Sequence, residues 1–285
     1  MMDPRTESLL QTLRALPAET LSLTMRSVRG QAERTFTGPL LADYAVAAGF
    51  IRERTADGAI SDGYFVVTAA DGMRVTVSLA EVVPGTSTKQ VILATTQDGS
   101  ALDVGARLVL PEFPGLAGRS VLGVASIEFH HFERSTRAEP TSAITLAGLL
   151  DRSGACDLAA LGADALVEVE TAAGTGHQGE PLPPRRYAGV PVYRLLDEAG
   201  IQLDPAVHED FLQNIVVATG ADGQSSVIAG GEIEPRFMNG TAIVAVLRDG
   251  KPLGPDEGPA RLVVPWDLKP GRWARNLVRL ELRRA

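Results

Sequence analysis

Ala260-Arg261-Leu262-Val263-Val264-Pro265 repeats, almost letter for letter, the stretch Ala106-Arg107-Leu108-Val109-Leu110-Pro111. Outward from this pair the correspondence continues. Thr37-Gly38-Pro39-Leu40-Leu41, running on to Gly49, is matched by Ala188-Gly189-Val190-Pro191-Val192, running on to Gly200, with both glycines displaced by 151 residues. Asp71-Gly72, Glu81 and Asp98-Gly99 recur at the same displacement as Asp222-Gly223, Glu232 and Asp249-Gly250. The closing motif is displaced by 154, which places a three-residue insertion between Leu253 and Ala260. A unit of this length is a whole domain and not a solenoid repeat. The sequence therefore predicts two tandem copies of one module, residues 1–132 and 143–285, joined by a linker at 133–142.

Bulk properties bound the function. The chain has 285 residues, 45% hydrophobic and 22% charged, an ordinary balance for a soluble globular protein. A net charge of −8 argues against a general nucleic-acid binder, which needs a basic surface to neutralise phosphates. No apolar run approaches the length of a membrane span. The N-terminal Met-Met-Asp-Pro-Arg-Thr-Glu-Ser has neither a basic nor an apolar region of the kind a secretory signal needs, so cytoplasmic residence is the expectation. A single cysteine, Cys156, rules out an internal disulfide and a multi-cysteine zinc site.

The local patterns are mostly those of strands. Leu21, Leu23 and Met25 alternate, as do Leu166 to Glu170, after short apolar stretches at Leu9–Leu16 and Leu158–Leu161. Each copy then has a helix opened by proline and closed by glycine, Pro39–Ala48 and Pro191–Ala199. Hairpins follow at Phe65–Val77 and Ile215–Ile228, each turning at Asp-Gly. Val91–Thr95 and Ala242–Leu247 are further strands, and 126–131 and 278–283 alternate strictly. Glu133–Ser142 is polar and aperiodic. Gly174–Arg186, rich in proline, has no counterpart of equal length and reads as a surface loop and candidate functional insertion. One clear helix per strand-rich module indicates an α+β fold.

Few residues point to chemistry. Cys156 reads as a small buried or half-buried hydrophobe, neither nucleophile nor metal ligand. His130 and His131 are neighbours in a strand and face opposite ways, so they do not share a metal. His177, with Arg185 and Arg186, offers an imidazole and two guanidiniums on a glycine-rich loop, a set suited to a phosphate or carboxylate, against the competing reading of a solvated loop. Arg272, Arg275, Arg279, Arg283 and Arg284 form a basic cluster in an acidic chain, read either as an anion or partner site or as a solvated sheet face. His208 reads as a surface residue.

The order of these motifs resembles the molybdopterin-binding domain of the sulfite oxidase family. Gly189-Val190-Pro191-Val192 with Ala199-Gly200, Ser78-Leu79-Ala80-Glu81-Val82, Asp249-Gly250-Lys251-Pro252-Leu253, Arg261-Leu262-Val263-Val264-Pro265 and Gly271-Arg272 carry the resemblance. It implies an α+β, sulfite-oxidase-type module and a molybdopterin cofactor, with His177, Arg185, Arg186, Arg272 and Arg275 nearest to the loops that hold the cofactor in the family. It also implies a metal-binding cysteine just before the Gly-Val-Pro helix. Met25–Thr35 and Thr171–Tyr187 contain none, so no metal ligand is assigned. Two expectations follow: an oxidoreductase-like cofactor-binding protein with altered or lost metal ligation, or a catalytically silent duplicated scaffold for a small anionic ligand or a protein partner. Enzyme status stays open between them. Neither expectation includes a nucleic acid or a membrane.

Overall fold

The computed structural model describes residues 4–27, 30–52, 61–87, 89–111, 119–133, 135–172, 174–175, 180–238 and 240–285. Phe65-Val66-Val67 and Ile215-Val216-Val217 are continuous apolar runs, and the fold shows why. Strand Gly63–Ala69 lies between Arg74–Ser78 and Val124–His131, antiparallel to both. Strand Asn214–Gly220 lies likewise between Ser225–Ala229 and Leu277–Arg284. Both central strands break register near their ends, after Thr68 and after Thr219.

Alternation then sends side chains to two different cores. Phe65 and Val67 enter one cluster with Leu41, Ile92 and Leu108; Val216 and Ala218 enter another with Val192, Ile243 and Leu262. The opposite faces, Tyr64 and Val66 against Ile215, Val217 and Val227, meet in a third cluster between the two sheets. A strand buried on both faces has no polar side to show, so its period-two pattern disappears.

The helices are shorter than the sequence predicts, Leu41–Ala47 and Val192–Glu198. The prolines stand before the first turn, with Pro191 as N-cap in extended backbone. There the chain is still in contact with a neighbouring strand, and Leu41 and Val192 donate their N–H to Val91 O (2.8 Å) and Ala242 O (2.9 Å). Gly38 and Gly189 are required by these crossings. A Cβ at Gly38 would lie 2.1 Å from Leu93 O, and one at Gly189 would lie 2.1 Å from Val244 O.

Two features depart from the sequence reading. Ala143–Gly148 runs parallel to Leu277–Arg284 and pairs with the edge strand Gly154–Asp157, giving a five-stranded sheet. Cys156 lies on that edge strand, half-buried against the second core. The stretch Gly174–Arg186 contains a two-stranded ribbon, Gly174–Thr175 with Pro181–Leu182, and its end begins the strand Arg186–Pro191. No described helix is long and apolar enough to cross a membrane.

Candidate functional site

The two sheets meet over buried charge. Each hairpin ends in a one-turn helix, Leu79–Val82 or Gly230–Ile233, whose glutamate reaches back to the N-cap amide: Ser78 N donates to Glu81 Oε2 (3.3 Å) and Ala229 N to Glu232 Oε1 (2.9 Å). Both glutamates are fully buried, and each meets an arginine two-pronged. Arg119 donates to Glu81 at 2.9 and 2.8 Å, and Lys89 joins the same carboxylate. Arg272 donates to Glu232 at 2.9 and 2.7 Å and to Asp267 at 2.9 and 2.8 Å, and it reaches across to Ser78 Oγ at 3.0 Å.

These six side chains carry three charges of each sign, so the buried cluster is neutral as a whole. Burial alone would raise the pKa of Glu81, but Arg119 and Lys89 hold it well below the usual carboxylate range. For Asp267 burial outweighs Arg272, with the Glu232 charge adding to it, and the pKa is pushed up to about 6.

Just above Arg272 opens a cleft of about 300 Å³. Its walls combine Leu182, Pro183, Leu268, Pro270 and Trp273 with four guanidiniums, those of Arg185, Arg248, Arg261 and Arg275. Strand geometry explains the selection. Arg185 N donates to Thr171 Oγ1 (3.0 Å) and Thr171 N to Arg185 O (2.9 Å), which fixes the start of the strand. From there Arg185 and Tyr187 share a side, and Arg186 is turned to the other, where it pairs with Glu168 and Glu170 at 3.9 and 3.5 Å.

Glu257 is buried beside the cleft and pairs with both Arg248 and Arg261, while Tyr187 donates its phenol to it at 3.2 Å. Arg261 also lies over the Trp273 ring, 5.3 Å from its centroid, and burial lowers its pKa. Among the described residues no carboxylate pairs with Arg185 or Arg275. Asp256 and Asp267 complete the acidic part of the lining, and both oxygens of Asp267 are already engaged by Arg272, with Trp273 Nε1 adding a bond at 3.1 Å. A second cleft of about 300 Å³, beside Tyr193 and Met238, has Arg194 as its one guanidinium, and Glu198 holds that at 2.7 Å.

Of the five residues singled out in the sequence, the structure brings Arg185 and Arg275 into one cleft. Arg186 faces away from it. Arg272 is buried beneath the cleft, and its donors are engaged by Glu232, Asp267 and Ser78. His177 lies outside the described residues. Arg279 and Arg283 pair with Glu281, and Arg284 pairs with Asp210. In the first half, Arg34 pairs with Asp98 at 2.8 Å.

The sequence reading missed Arg248, Arg261 and Glu257. Glu257 stands in the loop that the three-residue insertion lengthens, which was the available signal. No cysteine lines the cleft, and among the described residues no group of three His, Cys, Asp or Glu side chains is placed to hold a metal ion.

Comparison with known proteins locates a family signal in the same half of the chain. Residues 157–285 match the model of the oxidoreductase molybdopterin binding domain. No curated protein matches the chain. Among solved structures it is similar to the sulfane dehydrogenase SoxCD from Paracoccus pantotrophus, with 20% sequence identity and a TM-score of 0.40, over 65% of this chain and 49% of that one. The chain thus spans about half the length of that structure's chain.

Proposed function

We propose that residues 157–285 form a binding module for a phosphate-bearing ligand of the molybdopterin type, with Arg185 and Arg275 as its anion contacts. The observation that carries this reading is the coincidence of the family match with a cleft holding two guanidiniums that no described carboxylate pairs with. Charge-assisted hydrogen bonds from arginine are among the stronger ones available to a phosphate, roughly 1.5–3 kcal/mol each. Leu182, Leu268 and Trp273 supply apolar surface for a flat heterocycle. His177 is a further candidate anion contact in this reading.

The donor set suits an anion and does not suit a thiolate-held metal. Four arginines and three carboxylates line the cleft, two of the carboxylates held by arginines, and the one cysteine is on a different strand, so in this reading metal ligation by the protein is altered or lost. Bound molybdopterin would bring the dithiolene that holds molybdenum; the chain's own contribution is to bind and orient it. Cys156 has no part in this.

The reading extends to the architecture. Glu81 with Arg119 and Glu232 with Arg272 repeat one arrangement, down to the carbonyls of Thr76 and Val227 that each arginine also touches, at 3.2 and 3.4 Å. This supports a tandem duplication of one α+β module, residues 1–132 and 143–285 with 133–142 between them. The absence of a thiolate favours, as second reading, a catalytically silent duplicated scaffold that binds a small anion or a protein. Cytoplasmic residence, and no role at a membrane or on nucleic acid, belong to both readings and rest on sequence composition.

The test is expression in a host that makes molybdopterin, followed by elemental analysis and pterin fluorescence of the purified protein. Stoichiometric pterin that is lost in Arg185→Ala/Arg275→Ala supports the cofactor reading. Pterin-free protein that still binds phosphate supports the scaffold reading.

A further inference from the structure

The four guanidiniums of the cleft are not equivalent, and the difference has one source. Arg248 and Arg261 both close on Glu257, whereas Arg185 and Arg275 have no described carboxylate partner. Glu257 is held from both sides by backbone: its N–H donates to Gly254 O at 2.9 Å, and its carbonyl accepts Asn276 N at 2.8 Å. The following residue, Gly258, has φ +80, and a Cβ there would lie 2.1 Å from Asn276 Oδ1. The loop that carries Glu257 is the one lengthened by three residues relative to the first half. There the matching arginine, Arg107, lies over Phe36 at 5.2 Å with no described carboxylate partner.

We infer that Glu257 is a built-in counter-anion that sets how much negative charge the cleft accepts, making the preferred ligand a single phosphate-type dianion. The inference rests on the anion-binding reading above. Glu257 holds two of the four guanidiniums and, together with Asp256 in the same lining, offsets two of the four positive charges, so two guanidiniums face the ligand. A single phosphate group matches those two. A pyrophosphate brings more charge than they neutralise, and its second phosphoryl group meets guanidiniums already closed on Glu257. In the uncharged isostere Glu257→Gln, Arg248 and Arg261 become available to a longer anion, while the Tyr187 hydrogen bond is preserved.

The experiment is calorimetric titration of the full chain with inorganic phosphate and with pyrophosphate. In Glu257→Gln the affinity for pyrophosphate relative to phosphate is expected to rise at least about tenfold. In Arg248→Gln, a more exposed position whose substitution leaves Glu257 in place, the same ratio is expected to fall. This second variant decides the question if Glu257→Gln does not fold. A ratio unchanged in the folded variants, with wild type binding phosphate, overturns the role of Glu257 and leaves the anion site standing. Wild type that binds neither anion overturns both.

Discussion

Replacing Arg272 by methionine removes the guanidinium from between Glu232 and Asp267 while keeping much of its volume. Arg272 makes four hydrogen bonds to these two carboxylates at 2.7–2.9 Å and is fully buried. Adding the bonds at the strength of charge-assisted pairs would give a loss of roughly 6–12 kcal/mol. That sum ignores the desolvation the folded state already bears, and breaking one buried pair ordinarily costs about 3–5 kcal/mol. Protonation sets a further limit, because a stranded carboxyl takes up a proton sooner than it remains a bare charge. At pH 7 that escape costs about 1.4 kcal/mol per pH unit above the unfolded pKa, roughly 4 kcal/mol for each group.

About 4–6 kcal/mol is therefore expected at pH 7. The sign of the pH effect follows. Carboxyls whose folded pKa is raised are harmless below their unfolded pKa and destabilise as pH rises. The variant's deficit should accordingly shrink to about 1–3 kcal/mol near pH 5. Urea denaturation followed by circular dichroism at both pH values measures it. A deficit under 1 kcal/mol at pH 7, or one independent of pH, would refute the reasoning. Arg272→Met combined with Glu232→Gln and Asp267→Asn should recover part of the loss, since no charge is then left buried.

Other expectations follow from the same contacts. In the wild type, Asp267, with its pKa pushed up to about 6, makes stability fall as pH rises from about 4 to 6, by up to roughly 3 kcal/mol; Asp267→Asn should flatten that part of the pH profile in urea melts. Gly38→Ala and Gly189→Ala should each cost about 3 kcal/mol, because the new Cβ meets a carbonyl oxygen in both places; a thermal melt within a degree of wild type for either would contradict the close approach. Burial, with Asp157 and Glu198 nearby, raises the pKa of Cys156, so its alkylation by iodoacetamide near neutral pH should be slower than that of a free thiol, and Cys156→Ala should leave anion binding unchanged. Arg186→Ala should also leave anion binding unchanged, because its side chain is on the far side of the strand.

The parts of the fold that were legible were those fixed by short-range rules. Asp71-Gly72 and Asp222-Gly223 mark turns, and the hairpins are found around them. The strand Ala143–Gly148 was not legible. Its place is set by parallel pairing with Leu277–Arg284, more than a hundred residues away, and no local pattern encodes that partner.

Along the cleft, Arg185 and Arg275 could be picked out as cationic residues of the second half. That Arg186 turns to the other side of the strand was also within reach, since adjacent residues of a strand face opposite ways, the rule already applied to His130 and His131. The burial of Arg272 was not legible, because a Gly-Arg before a strand reads as exposed and nothing in the sequence reveals that Glu232 and Asp267 converge on it. The three-residue insertion was visible, but the pairing of Glu257 with Arg248 and Arg261 depends on tertiary contact.

The most direct test of an anion site in this cleft is calorimetric titration of inorganic phosphate into wild type, Arg185→Ala/Arg275→Ala and Arg186→Ala. Wild type and Arg186→Ala should bind alike, and the double variant should lose at least about a hundredfold in affinity, the equivalent of roughly 3 kcal/mol from two guanidinium contacts. Equal binding by all three proteins would contradict the account.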